Sequence, residues 1–154
     1  DKLNKDIFKD FTQPSGRGNL KKIKLKKKTI QIIDESYNSN PLSLKFSIEK
    51  FDKIETRNAK YLLLGDMLEL GKFSKKLHAD IANNINKTQI FKVYVYGKDI
   101  IYTFNKLRTQ KKGKIFKSNS EILRFINYEI KNNDYLMVKG SHSTGLNEII
   151  KKLN

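Results

Sequence analysis

The sequence predicts an α/β fold: a Rossmann-like, mostly parallel sheet flanked by helices, with an N-terminal hairpin. Two observations carry that prediction. Runs of strand length and apolar character (Thr29 to Ile33, Ala59 to Leu64, Phe91 to Tyr96, Asp134 to Val138) look continuously buried rather than alternating. Between them lie segments with apolar residues at helical spacing, so strand and helix alternate along the chain, the pattern of βαβ units.

Taken in order, residues 1 to about 15 have weak helical character (Leu3, Ile7, Phe8, Phe11) and stop at Pro14. Gly16-Arg17-Gly18 reads as a flexible, exposed link. Leu20 to Leu25, where Leu20 breaks a Lys/Ile alternation, and Thr29 to Ile33 make a hairpin through a Lys26-Lys27-Lys28 turn, with Ile23 and Leu25 inward. The lysine cluster is expected as an exposed tip. Asn40-Pro41 opens a helix, because asparagine caps well and proline at the first position gives up an N–H that has no helical partner. Leu44, Ile48 and Phe51 give that helix its stripe, and it ends near Ile54.

Ala59 to Leu64 is a buried parallel strand bounded by Gly65. Ser74 is expected to cap a helix carrying Leu77, Ile81 and Ile85, with His78 on its flank as a packing or hydrogen-bonding residue. Phe91 to Tyr96 is a strand closed by Gly97, Asp99 to Leu107 a short helix, and Lys114 to Phe116 a short strand. Glu121 to Ile130 is a helix capped by Ser118 or Ser120, with Ile122, Phe125, Ile126 and Ile130 inward. Asp134 to Val138 is the last buried strand, and a terminal helix carries Leu146, Ile149, Ile150 and Leu153.

Three polar stretches follow buried strands: Asp34 to Asn40, Asp66 to Glu69, and Lys139 to Gly145. In open α/β sheets ligands bind at the carboxyl ends of strands. Polar loops before helices are commonly plain caps, and Asp66 and Glu69 fit capping or solvation as well as chemistry. The Lys139 loop combines a full charge, glycines and a helix start, a combination that favours anions.

Composition narrows the classes. The 154 residues suit one domain, 38% of them hydrophobic. There is no cysteine, so neither disulfides nor thiolate metal sites arise. No apolar run reaches the roughly 18 residues of a membrane span, and no signal peptide is visible, so a soluble cytoplasmic piece is expected. A start at Asp1 rather than Met suggests an excised piece. The formal charge of +16 invites a nucleic-acid reading, yet arginine occurs only at positions 17, 57, 108 and 124. Arginine is the residue suited to bidentate phosphate and base contacts, so the lysines are read as solvated charge and no nucleic acid is expected. Neither G-x-G-x-x-G after the first strand nor G-x-x-x-x-G-K-S/T is present, which argues against a dinucleotide dehydrogenase and against ATP hydrolysis by these residues alone.

Asp34-Glu35-Ser36-Tyr37-Asn38-Ser39-Asn40-Pro41 resembles the D-D/E-S-Y-N-A-N-P signature of the Mur ligase family, in its MurF-type branch. Gly65-Asp66-Met67-Leu68-Glu69-Leu70-Gly71, Val138-Lys139-Gly140-Ser141 and Gly16-Arg17 match that branch in order and rough spacing. The resemblance covers nearly the whole chain but only the carboxyl-terminal third of such an enzyme. It implies residues 1–18 as the tail of a central ATPase domain or a linker, and 19–154 as the C-terminal lid domain. It implies a ligase of peptidoglycan synthesis that adds D-alanyl-D-alanine to UDP-N-acetylmuramoyl-tripeptide. In that family ATP with Mg²⁺ phosphorylates the tripeptide carboxylate and the dipeptide amine attacks the acyl phosphate. The P-loop and most metal ligands belong to the central domain, so the expectation is a monomeric piece that is inactive alone, with no catalytic or metal-binding residue assigned within it.

By the same resemblance Arg17, Glu35, Asn38 and Asn40 are nucleotide-side candidates, with Glu35 where many relatives place a ribose-contacting Asp. Lys139, Ser141, His142 and Asp66 are substrate-side candidates, although relatives often have Arg where this chain has His142. Two alternatives stand beside this reading. A folylpolyglutamate synthase-type domain would want D-G-A-H-N-P at Asp34 to Asn38. A stand-alone basic α/β nucleic-acid-binding module would show salt-sensitive duplex binding with a steep slope.

Overall fold

A computed structural model describes residues 16–153. Strands β1 (Asn19–Leu25) and β2 (Lys28–Glu35) pair antiparallel, with Leu25 opposite Lys28 across a two-residue turn. Ile23 is buried and Leu25 half-buried, while Leu20 is exposed. Lys28 thus belongs to the strand rather than the turn. Its ammonium has a reason to be there, since it donates to the Ile130 carbonyl.

Helix α1 (Pro41–Asp52) starts on a capping box: the Asn40 side chain accepts from the Ser43 N–H, and the Ser43 hydroxyl accepts from the Asn40 N–H. Leu44, Ile48 and Phe51 are buried beneath it. Strand β3 (Lys60–Gly65) is buried at every position. Helix α2 (Ser74–Ile85), β4 (Lys92–Tyr96), α3 (Ile101–Lys106) and β5 (Lys112–Ile115) follow. Helix α4 (Asn119–Arg124) is capped by Ser118 and widens into a π turn at Phe125–Glu129, which keeps Ile122, Phe125 and Ile126 on one buried side. Strand β6 (Tyr135–Lys139) and α5 (Leu146–Lys151) end the fold.

The strand order is β1-β2-β6-β3-β4-β5, and every pairing except β1 with β2 is parallel. One core lies between the sheet and α4 and α5, with Ile30, Ile32, Leu63, Val138, Phe125 and Ile149 among its members. The other lies under α1, α2 and α3, with Leu62, Leu64, Met137, Val93, Ile48 and Ile81. Successive leucines of β3 therefore feed opposite cores, which is why the strand shows no polar alternation. No helix among the described residues is long and apolar enough to cross a membrane.

Three local expectations need correction. Ser74 does not cap α2, because a 3-10 turn at Gly71–Phe73 runs into it and places Ser74 at φ −52, ψ −52 inside helical backbone. Its hydroxyl donates instead to Asp99, at 2.6 Å. The Gly16-Arg17-Gly18 link is not free: the Tyr37 N–H donates to the Gly16 carbonyl and the Gly18 N–H to the Asp34 carbonyl. At φ +83, a Cβ on Gly16 would come within 2.9 Å of the Tyr37 nitrogen, so this turn requires glycine. Nor does all the positive charge lie on solvated faces. Lys60, Lys111 and Lys139 are buried and, like Lys28, direct their ammonium groups at backbone carbonyls. Burial lowers the pKa of Lys28, Lys111 and Lys139 below lysine's ordinary value, while Asp134, Asp52 and Glu35 respectively pull it back up.

Candidate functional site

Strands β2, β6 and β3 are neighbours, so the three polar stretches that follow them meet at one sheet end. The β2–α1 stretch begins with a tight local turn, in which Asp34 accepts from both the N–H and the hydroxyl of Ser36. The β6 and β3 ends approach closely because both carry glycine. A Cβ on Gly140 would lie 3.1 Å from the Gly65 Cα, and one on Gly65 would lie 2.9 Å from the Leu146 side chain.

Lys139 and Ser141 tie the stretches together. The Lys139 ammonium donates to the Asn38 carbonyl at 2.9 Å and lies 3.6 Å from the Glu35 carboxylate. Burial lowers its pKa, and the Glu35 charge opposes that shift. The Ser141 hydroxyl donates to the Ser39 carbonyl at 3.4 Å and accepts from the Leu68 N–H at 3.0 Å. The Ser141 N–H donates to the Asp66 carbonyl at 3.0 Å. Across the cleft the Tyr37 and His142 rings meet edge to face, their centroids 5.7 Å apart.

Two adjoining hollows result. One, of about 360 Å³, is bordered by Arg17, Glu35, Tyr37, Asn38, Asn40 and Lys139. The Arg17 guanidinium lies 4.8 Å from the Tyr37 ring centroid, a cation–π contact that holds an otherwise exposed side chain over this hollow. The second, of about 470 Å³, is bordered by Tyr37, Asn38, Leu68, Glu69, Ser141, His142 and Ser143. Tyr37 and Asn38 form the wall the two share.

The nucleotide-side candidates thus come together, and Lys139, a substrate-side candidate, joins them through Glu35. Ser141 and His142 face the second hollow. Asp66 stands apart: its carboxylate accepts from the N–H groups of Lys98, Asp99 and Ile100, so both oxygens are engaged in fixing the turn into α3. Asn40 spends its side-chain oxygen on the α1 cap. The expected anion-favouring helix start after Lys139 is also altered. A 3-10 turn at His142–Thr144 and Gly145 at φ +79 precede α5, so the positive charge of this region comes from Lys139 and Arg17 instead.

Sequence reasoning gave Tyr37, Leu68, Glu69 and Ser143 no site role, although all four border the second hollow. Glu69 is visible in sequence as a carboxylate in the polar stretch after a buried strand, read there as capping or solvation, and the structure adds a left-handed φ of 62° at a residue other than glycine. His78 is buried and holds the β3–α2 stretch in place. Its Nε2 accepts from the Met67 N–H at 2.9 Å, and its Nδ1 donates to the Ser74 carbonyl at 2.8 Å. Among the described residues no group of three or more His, Cys, Asp or Glu is placed to hold a metal ion.

Comparison with known proteins bears on the family and the fold. The chain is 29% identical over 156 residues to the UDP-N-acetylmuramoyl-tripeptide–D-alanyl-D-alanine ligase of Rickettsia prowazekii (strain Madrid E), covering 97% of this chain and 34% of that protein. It is 29% identical over 127 residues to the ligase of the same name from Bacillus subtilis (strain 168), covering 80% and 28%. The chain therefore spans about a third of the length of these relatives. The fold matches the MurF ligase of Thermotoga maritima, crystallised in complex with ADP, with a TM-score of 0.74 and 22% identity over 94% of this chain and 31% of that one. The family model described as Mur ligase, glutamate ligase domain, matches residues 16–142, and the chain belongs to that family.

Proposed function

We propose that this chain is the C-terminal domain of a MurF-type ligase, which adds D-alanyl-D-alanine to UDP-N-acetylmuramoyl-tripeptide with ATP and Mg²⁺ in peptidoglycan synthesis. The observation that carries the reading is the pair of hollows sharing Tyr37 and Asn38, one lined by cations and the other by a carboxylate and hydroxyls. A nucleotide fits the first. Arg17 faces its phosphates, and the Glu35 carboxylate and Asn38 amide offer partners for ribose hydroxyls. ATP supplies the phosphoryl group that activates the tripeptide carboxylate. The residues of this chain bind and orient: Lys139 fixes the wall between the hollows, and the second hollow receives the dipeptide. No metal-binding step is assigned to these residues. Closure of such a domain over bound nucleotide excludes water from the reacting groups.

The test is a coupled assay of the full-length protein that carries this chain. ADP release is expected to depend on both UDP-N-acetylmuramoyl-tripeptide and D-alanyl-D-alanine, and absence of that double dependence would refute the reading. Residues 1–154 alone should release no ADP. Arg17→Ala in the full-length protein should lower kcat/KM about tenfold or more, as expected for one lost charged phosphate contact. Its melting temperature should stay close to wild type, since the side chain is exposed. A parallel loss of stability and activity would make Arg17 a structural residue.

A further inference from the structure

Glu69 differs from the other carboxylates of this chain. Among the described residues only Glu49, Glu55 and Glu69 make neither a side-chain hydrogen bond nor an ion pair, and of these Glu69 alone borders the cleft. In a sequence with 32 Lys and Arg against 16 Asp and Glu, a carboxylate in a cleft with no cation of its own is unusual. It is also placed with care. The three residues before it are pinned in succession: Asp66 through Lys98, Asp99 and Ile100, the Met67 N–H by His78, and the Leu68 N–H by Ser141. Glu69 follows at φ 62°, a conformation that disfavours any residue with a Cβ. A rigid frame thus presents an unpaired negative charge to a hollow of about 470 Å³ whose other walls include Leu68, Tyr37, His142 and Ser143. That hollow suits a small ligand with a cationic end and short aliphatic groups, too small for a macromolecular partner.

We propose that Glu69 binds the ammonium group of the incoming amino substrate and so selects a dipeptide with a free amino terminus. This rests on the ligase reading above. The assignment concerns binding alone and moves no proton. Leu68, next to it and partly exposed, offers apolar surface to the methyl group beside the ammonium.

The experiment uses the full-length protein with Glu69→Gln and Glu69→Asp. Glu69→Gln keeps size and removes charge. It should raise the KM for D-alanyl-D-alanine about tenfold or more, the scale of a lost charge-assisted contact, with the KM for ATP within about twofold of wild type. Glu69→Asp, which keeps the charge on a shorter arm, should fall between. N-propionyl-D-alanine, the dipeptide without its ammonium, should inhibit wild type and Glu69→Gln with similar constants. An unchanged dipeptide KM in Glu69→Gln overturns the assignment, as does an equal rise in KM for all substrates. An N-propionyl-D-alanine constant that worsens as much as the dipeptide KM overturns it too. A wild-type protein with no dipeptide-dependent turnover overturns the ligase reading itself, a failure seen before any variant is compared.

Discussion

Lys139→Met in the full-length protein should lower kcat/KM on the order of a hundredfold, the scale of misplaced site groups. Its stability should fall by only about 1–3 kcal/mol, the range for a buried hydrogen bond that loses one partner. The two outcomes separate for a physical reason. Burial already disfavours the Lys139 ammonium, and methionine of similar length removes that cost while filling the same space. What is lost is the donor to the Asn38 carbonyl and the partner of Glu35. Because Asn38 belongs to both hollows, KM should rise for ATP and for D-alanyl-D-alanine alike, not for the dipeptide alone. The pH dependence carries a sign as well. A lysine whose pKa is lowered on folding has its charged form disfavoured in the fold, so its contribution to stability rises as pH climbs through the folded pKa towards 10.5. The stability of wild type relative to Lys139→Met should therefore improve across that window, as read by urea titration at a series of pH values. Full activity in the variant would leave Lys139 a structural tie only.

His78→Ala should destabilise the isolated domain by roughly 3 kcal/mol, combining an unsatisfied buried amide with a cavity. At this chain length that corresponds to a fall in Tm of roughly 6–12 °C. The Met67 N–H is the group left without an acceptor, and Met67 is itself a core residue, 1% exposed. His78→Gln, whose amide oxygen offers an acceptor, should recover part of the loss. Thermal unfolding followed by circular dichroism decides it, and a Tm within about 1 °C of wild type would show that the imidazole is only filling space.

Much of the fold was legible because its signals are local. The apolar run Ala59 to Leu64, of strand length and bounded by Gly65, reads as a buried parallel strand, and Asn40-Pro41 marks a helix start that the capping box confirms. Hidden features were those decided by partners distant in sequence. Nothing near Lys28 announces the Ile130 carbonyl, and nothing near Lys139 distinguishes it from the many solvated lysines until β6 lies beside β2. The Ser74 expectation failed for a related reason. A serine before an apolar periodic stretch is a sound cap signal, but the 3-10 turn ahead of it had already started the helical backbone. The three polar stretches were each visible in sequence as separate features. That they form two hollows with a common wall follows from strand order, which periodicity does not encode.

That strand order has a consequence for how the chain is made. Among the described strands β6 comes last in sequence, yet it does not lie at an edge. It is inserted between β2 and β3, which do not pair with each other. Until it arrives, the nascent chain holds a hairpin with its helix on one side and the β3–β4–β5 block on the other, two half-sheets with their inner edges open. A stop codon before Tyr135 would accordingly remove the partner of both β2 and β3, leaving those two edges free to pair with other chains even though α1 still packs against α2. Among the described strands, the one that joins the two halves of the sheet, and with them the walls of the cleft, is the last in sequence.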